Sequence, residues 1–221
     1  MPLDDAQARL RQVQDRIAHA AGLANRKSAD VTLIAISKMH DSEAIRPLIA
    51  AGQRVFGENR VQEAQGKWPE LLAETPGIQL HLVGQLQSNK ADDAVALFDA
   101  IHSVDRLSLV TALGNAMDKA GKRPACFIQV NIGAEEQKGG CAAEAVPELL
   151  AQARIANLPV AGLMCVPPLD MDAAPYFALL AKIARDNGVD GLSMGMSGDY
   201  ETAVMIGATH VRVGTALFGA R

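Results

Sequence analysis

The stretch VTLIAISKMHD, residues 31–41, is mostly β-branched and apolar for seven residues and then meets a lysine, Lys38. A short apolar run ending in a polar turn reads as a strand covered on both faces, the habit of parallel sheets wrapped by helices. Segments of the same kind recur at 53–57 (QRVFG), 78–84 (IQLHLVG), 99–104 (DAIHSV), 125–132 (ACFIQVNI), 159–166 (PVAGLMCV), 190–196 (DGLSMGM) and 209–215 (THVRVGT). Between them lie helical patterns such as SEAIRPLIAAG, NRVQEAQGKWPELLAE and RLSLVTALGNAMDKAG, several closing at Gly or Asn as helix ends do. Eight strands, seven intervening helices, a short eighth helix near GTALFG and an extra amphipathic helix at the front close most simply into one α/β domain over residues 1–221. The expected architecture is a (β/α)8 TIM barrel. An open doubly wound sheet is the alternative. No G-x-G-x-x-G follows the first strand, and little length remains for a second domain, which argues against a dinucleotide fold.

Composition narrows the class of partner. Lys and Arg number 21 against 25 Asp and Glu, a net charge of -4, so nothing electrostatic favours nucleic acid or an anionic membrane. The first residues are charged and helical in period, and no apolar run approaches the roughly 18 residues of a spanning helix. A cytoplasmic protein with a small soluble ligand is expected. Cys126, Cys141 and Cys165 are odd in number and lack C-x-x-C spacing, so they read as reduced, inert thiols. The 5 histidines show no metal-ligand spacing.

In a barrel of this kind the ligand site lies at the C-terminal ends of the strands. Strand alternation puts Thr32, Ile34, Ile36 and Lys38 on one face, so Lys38 stands at the mouth of the barrel. Desolvation there would leave more of it as the free amine that condenses with aldehydes, whereas a lysine snorkelling at a strand end would do nothing of the kind. LSMGMSGDYETA places Gly195, Ser197 and Gly198 before a helix starting near Asp199, and RVGTALFG places Gly214 and Thr215 before another. Both are loops of the sort that hold an anion at a helix N-terminus, though either could merely turn the chain. Arg212 shares a face with His210 and Gly214, facing the barrel interior, where it needs a partner: Glu58, Asn59, another polar strand end, or a ligand heteroatom. An aldehyde-binding amine, a phosphate cradle and an interior guanidinium together match pyridoxal 5'-phosphate (PLP).

Eight blocks in order carry a family resemblance: AISK (35–38), FGENRVQE (56–63), HLVGQLQSNK (81–90), IHSVDR (101–106), QVNIGAEEQKGG (129–140), GLMCVPP (162–168), LSMGMSGDYETA (192–203) and VRVGTALFGAR (211–221). The chain resembles the YggS/PROSC family of pyridoxal phosphate homeostasis proteins, relatives of the N-terminal barrel domain of alanine racemase. The resemblance implies that Lys38 carries the cofactor as an internal aldimine, that Ser197, Gly214 and Thr215 hold its phosphate, and that Arg212 faces the pyridine nitrogen. It implies further that Asn59 and Met194 line the ring pocket. The chain departs from its relatives at Leu80, where a Trp is common, at Gln85, where a Pro is common, and at Gly198, where an acidic or polar residue is common. These departures put one pocket wall in doubt and leave the second loop looser. The sequence ends at FGAR, with no tail expected over the site.

The resemblance implies a carrier that sequesters PLP and passes it to PLP-dependent apoenzymes. A single-domain racemase or related PLP enzyme is the alternative, and a cofactor-free Schiff-base aldolase or phosphosugar-binding barrel is a third. Tyr200, in the first turn after the phosphate loop, is expected to support that loop rather than donate protons, and Tyr176 falls on a helix. His40 is expected to be solvated, His81 and His102 to be hydrogen-bonded core or rim residues, and Trp68 to pack on an outer helix. Lys90 and Lys138 are expected at the surface. A full helical ring needs no partner to complete its core, so a monomer is expected.

Overall fold

The computed structural model describes residues 1–219, so the last two residues of the block at 211–221 lie outside the described residues. Eight parallel strands close into a barrel in sequence order: β1 (Thr32–Ile36), β2 (Val55–Glu58), β3 (Gln79–Leu82), β4 (Ala100–Val104), β5 (Ala125–Val130), β6 (Val160–Cys165), β7 (Gly191–Met196) and β8 (His210–Val213). The ring is sealed where β1 pairs with β8 in the register Thr32 to His210 and Ala35 to Val213. Around it run α1 (Leu3–Leu23), α2 (Ser42–Ala50), α3 (Val61–Glu74), α4 (Ala91–Leu97), α5 (Leu107–Ala120), α6 (Val146–Ile155), α7 (Ala174–Asp186), α8 (Tyr200–Ile206) and α9 (Thr215–Phe218). The expected barrel, its helix order and its leading helix are all present.

The leading helix closes the shell. α1 buries Leu10, Val13 and Ile17 on one stripe and packs against α2, α8 and α9. The Arg26 guanidinium beyond its end donates to the Val204 and Ala208 carbonyls at 2.7 and 2.8 Å, tying it to the end of α8. Several helices stop where left-handed backbone is cheap, at Gly121 after α5 and at Gly207 after α8.

Alternation along the strands sorts side chains into two layers. Phe56 on β2 points outward and packs on Trp68 of α3, which is fully buried, so Trp68 fills the space between barrel and shell as expected. Gly57 points inward, where a Cβ would lie 2.6 Å from Ile36 Cδ1 and 2.8 Å from Ile34 Cγ2, so bulk from β1 occupies the interior that glycine vacates. The interior also holds a layer of rings: His102 stacks on Phe127 with centroids 4.3 Å apart, while His81 and His210 lie within about 6 Å of it.

Candidate functional site

Lys38 follows β1 in a four-residue turn in which the His40 N–H donates to the Ser37 carbonyl at 3.1 Å. Met39 sits third in that turn with φ +63, a left-handed conformation that glycine normally takes. The turn carries Lys38, itself partly buried, to the mouth of the barrel. There Ile36, Lys38, His40, Gly214, Thr215 and Gly219 line one pocket of about 290 Å³. That volume suits a single small ligand. A larger groove of about 590 Å³ between α1 and α2 contains neither Lys38 nor the glycine loops.

The two expected anion loops adjoin each other. The Gly214 N–H donates to Ser197 Oγ at 3.2 Å, joining the loop after β7 to the loop after β8. α9 begins at Thr215 with Gly214 as its cap, so the first N–H groups of that helix have no intrahelical acceptor. Ser197 is half-buried and Thr215 exposed, both accessible to a ligand. The Asp199 carboxylate accepts the Met196 N–H at 2.6 Å and so fixes the tight turn after β7. Gly195, near the end of β7, has φ +92, and a Cβ on it would come within 2.5 Å of Ala203 Cβ, so α8 packs directly on the strand backbone just before the turn.

Arg212 faces the barrel interior and is almost fully buried. Its partners are neither Glu58 nor Asn59: one nitrogen donates to Ser193 Oγ at 2.7 Å and another to the Cys165 carbonyl at 2.8 Å. Glu58 lies on the outward face, bonded to Trp68 Nε1, which corrects that expected pairing. Burial pulls the Arg212 guanidinium below its ordinary pKa, and among the described residues no carboxylate hydrogen-bonds to it. The chain of bonds continues inward. Ser193 Oγ accepts from Arg212 and is hydrogen-bonded to His102 Nδ1 at 2.8 Å, and His102 Nε2 is in turn hydrogen-bonded to His81 Nδ1 at 3.1 Å. Burial drives all three interior histidines toward the neutral form, His81 to about 3, His210 to about 4 and His102 well below the usual value.

Neither Ser197 nor Arg212 is among the residues lining the Lys38 pocket, Ser197 reaching it only through its bond to the Gly214 N–H, and other expected residues also fall outside it. Met194 is fully buried in the core between barrel and shell, where a bulge between Ser193 and Met196 interrupts the alternation of β7, and it does not line the pocket. Asn59 is half-buried beside Gly84, whose Cβ position lies 2.2 Å from the Asn59 carbonyl oxygen. Of the departures, Leu80 is buried in the core, and Gln85 bonds Gln129 Oε1 at 2.6 Å, so an amide pair fills that wall. Gly198 is exposed with open space where a side chain would be. His40 is not simply solvated: its ring stacks on Phe218 with centroids 4.3 Å apart at the pocket edge. Lys90 pairs with Asp93 and Lys138 with Glu135. Tyr200 is buried beneath α1, with the Arg16 guanidinium 5.6 Å from its ring centre. Burial raises the Cys126 and Cys165 thiols to about 12 and Cys141 to about 11, against any reactive thiolate. Among the described residues there is no cluster of metal-ligating side chains, and no helix is long and apolar enough to cross a membrane.

Sequence reasoning missed one group of residues behind Lys38. The Lys67 ammonium donates to the Ser37 and His40 carbonyls at 2.8 and 2.9 Å and pairs with Glu58 and Glu63 at 2.9 Å each. The four-residue spacing of Glu63 and Lys67 on α3 looks in sequence like an ordinary surface pair. The signal that could have distinguished it is Glu58, a carboxylate at the end of an apolar strand.

Comparison with known proteins extends these observations. Residues 9–221 match the family described as alanine racemase, N-terminal domain. The chain is 43% identical over 217 residues to the pyridoxal phosphate homeostasis protein of Pseudomonas aeruginosa, covering 95% of this chain and 93% of that one. It is 38% identical over 237 residues to the protein of the same name from Escherichia coli, covering 99% and 98%. The structure of PipY from Synechococcus elongatus with PLP bound superposes with a TM-score of 0.81 at 40% identity, covering 92% of this chain and 100% of that one. Its closed parallel barrel and near full-length identity agree: this chain belongs to the pyridoxal phosphate homeostasis protein family, built on the N-terminal barrel domain of alanine racemase.

Proposed function

We propose that this protein binds PLP in the pocket at the mouth of its barrel and takes part in PLP homeostasis as a carrier rather than an enzyme. In this assignment Lys38 holds the aldehyde as a Schiff base, Ser197, Gly214 and Thr215 hold the phosphate, Arg212 addresses the ring nitrogen, and Asn59 lies near the ring. The ligand is then handed to apoenzymes by a cytoplasmic monomer built as one barrel domain. The observation that carries the proposal is that Lys38 shares a pocket of about 290 Å³ with Gly214 and Thr215. The donor set fits the group: an amine on one wall, helix-start N–H groups and hydroxyls on another, and a buried guanidinium with no carboxylate bonded to it beneath.

PLP supplies an aldehyde for covalent attachment and a ring able to withdraw electrons. The residues of this chain bind and orient it, and the placement of its two tyrosines supports the carrier role. A guanidinium donating to the ring nitrogen keeps that nitrogen unprotonated, which weakens electron withdrawal and leaves Cα chemistry dependent on two placed acid/base groups. Lys38 is one; Tyr200 is buried under α1, and Tyr176 lies on α7 in the outer shell, so neither supplies the second. The test is an absorbance spectrum with and without PLP, then borohydride reduction and peptide mapping. Label on the Lys38 peptide, lost in Lys38→Ala, is expected; label elsewhere, or no uptake of PLP, refutes the assignment. Amino acid racemization or decarboxylation well above that of free PLP, abolished by Lys38→Ala, would establish the enzyme alternative.

A further inference from the structure

We propose that Lys67 is a positioning residue for Lys38: by gripping the carbonyls on either side of the Lys38–Met39 bend, it aims the Lys38 amine into the pocket. This rests on the assignment of Lys38 as the aldehyde-binding amine. Lys67 lies on α3, outside the barrel wall, with its side chain only 9% exposed. Its ammonium reaches Ser37 O at 2.8 Å and His40 O at 2.9 Å, the carbonyls that bracket the bend. Between those points Glu63, itself bonded to Lys67 at 2.9 Å, accepts the Met39 N–H. Glu58 completes the arrangement from the end of β2: its Oε1 pairs with Lys67 at 2.9 Å and accepts from Ser37 Oγ at 2.5 Å and Trp68 Nε1 at 2.9 Å.

Two independent features point to positioning rather than bulk stability. Met39 adopts φ +63 although it has a side chain, and such a conformation persists only where surrounding contacts over-determine it. Lys67 and Glu63 supply such contacts, on the Ser37 and His40 carbonyls and on the Met39 N–H. Secondly, a buried ion pair recovers little net stability after its desolvation cost, so a largely buried lysine paired with a fully buried glutamate is poorly explained as a stabilising device. What the pair does supply is a fixed cation behind a turn whose next residue must point within a fraction of an ångström of an aldehyde carbon.

Formation of the imine joins Lys38 Nζ to the aldehyde carbon and releases the aldehyde oxygen as water with the two amine protons. The hydrogen bonds and ion pairs of Lys67 go to Ser37, His40, Glu58 and Glu63 and not to the loops after β7 and β8, so the two halves of binding separate experimentally. In stopped-flow absorbance with PLP, Lys67→Met should slow the first-order imine step at saturating PLP by tenfold or more, while the half-saturating concentration of the initial complex moves less than threefold. Lys67→Arg, which keeps cationic donors, should recover part of the rate. Because the single variant leaves Glu58 buried without its cation, the double variant Glu58→Gln/Lys67→Met is measured beside it, and both are checked by circular dichroism. An unchanged imine rate in a folded variant overturns the proposal; so does a proportional loss of both parameters, or failure of both variants to fold, since the segment would then serve the fold rather than the aim of Lys38. Wild-type protein that forms no adduct on Lys38 overturns the PLP assignment itself, whatever Lys67 does.

Discussion

Acidifying the protein from pH 8 to pH 5 should remove a large part of its stability through the three histidines inside the barrel. His81 and His102 are almost wholly enclosed and His210 is partly so; burial, reinforced for His102 and His210 by the charge of Arg212, keeps each ring neutral in the folded chain. In the unfolded chain each protonates near its ordinary value of about 6.5. Below that pH the unfolded state therefore binds protons that the folded state refuses, and stability falls as the pH falls, down to about 3 for His81 and about 4 for His210. At pH 5 an excluded histidine costs about 2 kcal/mol, so His81, His102 and the more accessible His210 together cost roughly 5 kcal/mol, a large share of the roughly 5 to 15 kcal/mol typical of a domain. Urea unfolding followed by circular dichroism at pH 8, 7, 6 and 5 reads this as a midpoint drop of about 2 M for a slope near 3 kcal/mol per M. His210→Gln should flatten the dependence by about a third, because one of three titrating groups is gone. A midpoint that stays constant from pH 8 to 5.5 would refute the neutral histidine layer.

Three substitutions probe other parts of the same architecture. On the proposed binding mode, Ser197→Ala with Thr215→Val removes two hydroxyl partners of a charged phosphate, about 1.5 kcal/mol each, so PLP affinity measured by absorbance titration should fall by about 100-fold; unchanged affinity removes the phosphate assignment. Gly84→Ala would place a Cβ 2.2 Å from the Asn59 carbonyl and 2.7 Å from its Cα, and backbone on both sides leaves nowhere to yield, so thermal unfolding should show a loss of about 2 to 3 kcal/mol. Trp68→Phe trims a fully buried ring and removes the donor to the enclosed Glu58 carboxylate, which should cost about 2 to 3 kcal/mol in the same assay.

The barrel was legible because fully covered strands leave unbroken apolar runs, and all eight observed strands overlap the expected windows. The ends differ for local reasons. At 53–57 the strand proper begins only at Val55: the Gln53 amide side chain donates to the Leu33 and Val55 carbonyls, and the strand runs on to Glu58, a charge held by Lys67, Ser37 Oγ and Trp68 Nε1. Lys38, Gly214 and Thr215 could be placed together because strand ends converge in any such barrel. The partner of Arg212 could not, since one of its acceptors is a main-chain carbonyl on β6 and the other a serine distinguished by nothing in its sequence context. Met194 was placed near the ring by the resemblance and not by alternation: Ser193 faces inward, so the residue after it turns outward into the core between barrel and shell.

Alternation has a further consequence at the end of β1. Ser37 faces outward to Glu58, while Lys38 turns inward to the pocket, so adjacent residues belong to two polar systems separated by the barrel wall. The outer one, Glu58 with Lys67, is charged and enclosed; the inner one, Arg212 with Ser193 and the histidines, carries its charge on a single guanidinium above neutral rings. The peptide units from Ser37 to His40, whose carbonyls Lys67 holds, are the element that the outer system shares with the pocket. On the proposed binding mode, a change in the outer system reaches the ligand through the position of Lys38, whereas a change in the inner system acts on the ring-facing side through Arg212. On that binding mode covalent capture and noncovalent affinity are governed from opposite sides of one strand end, so substitutions in the two systems should separate the rate of imine formation from the strength of binding.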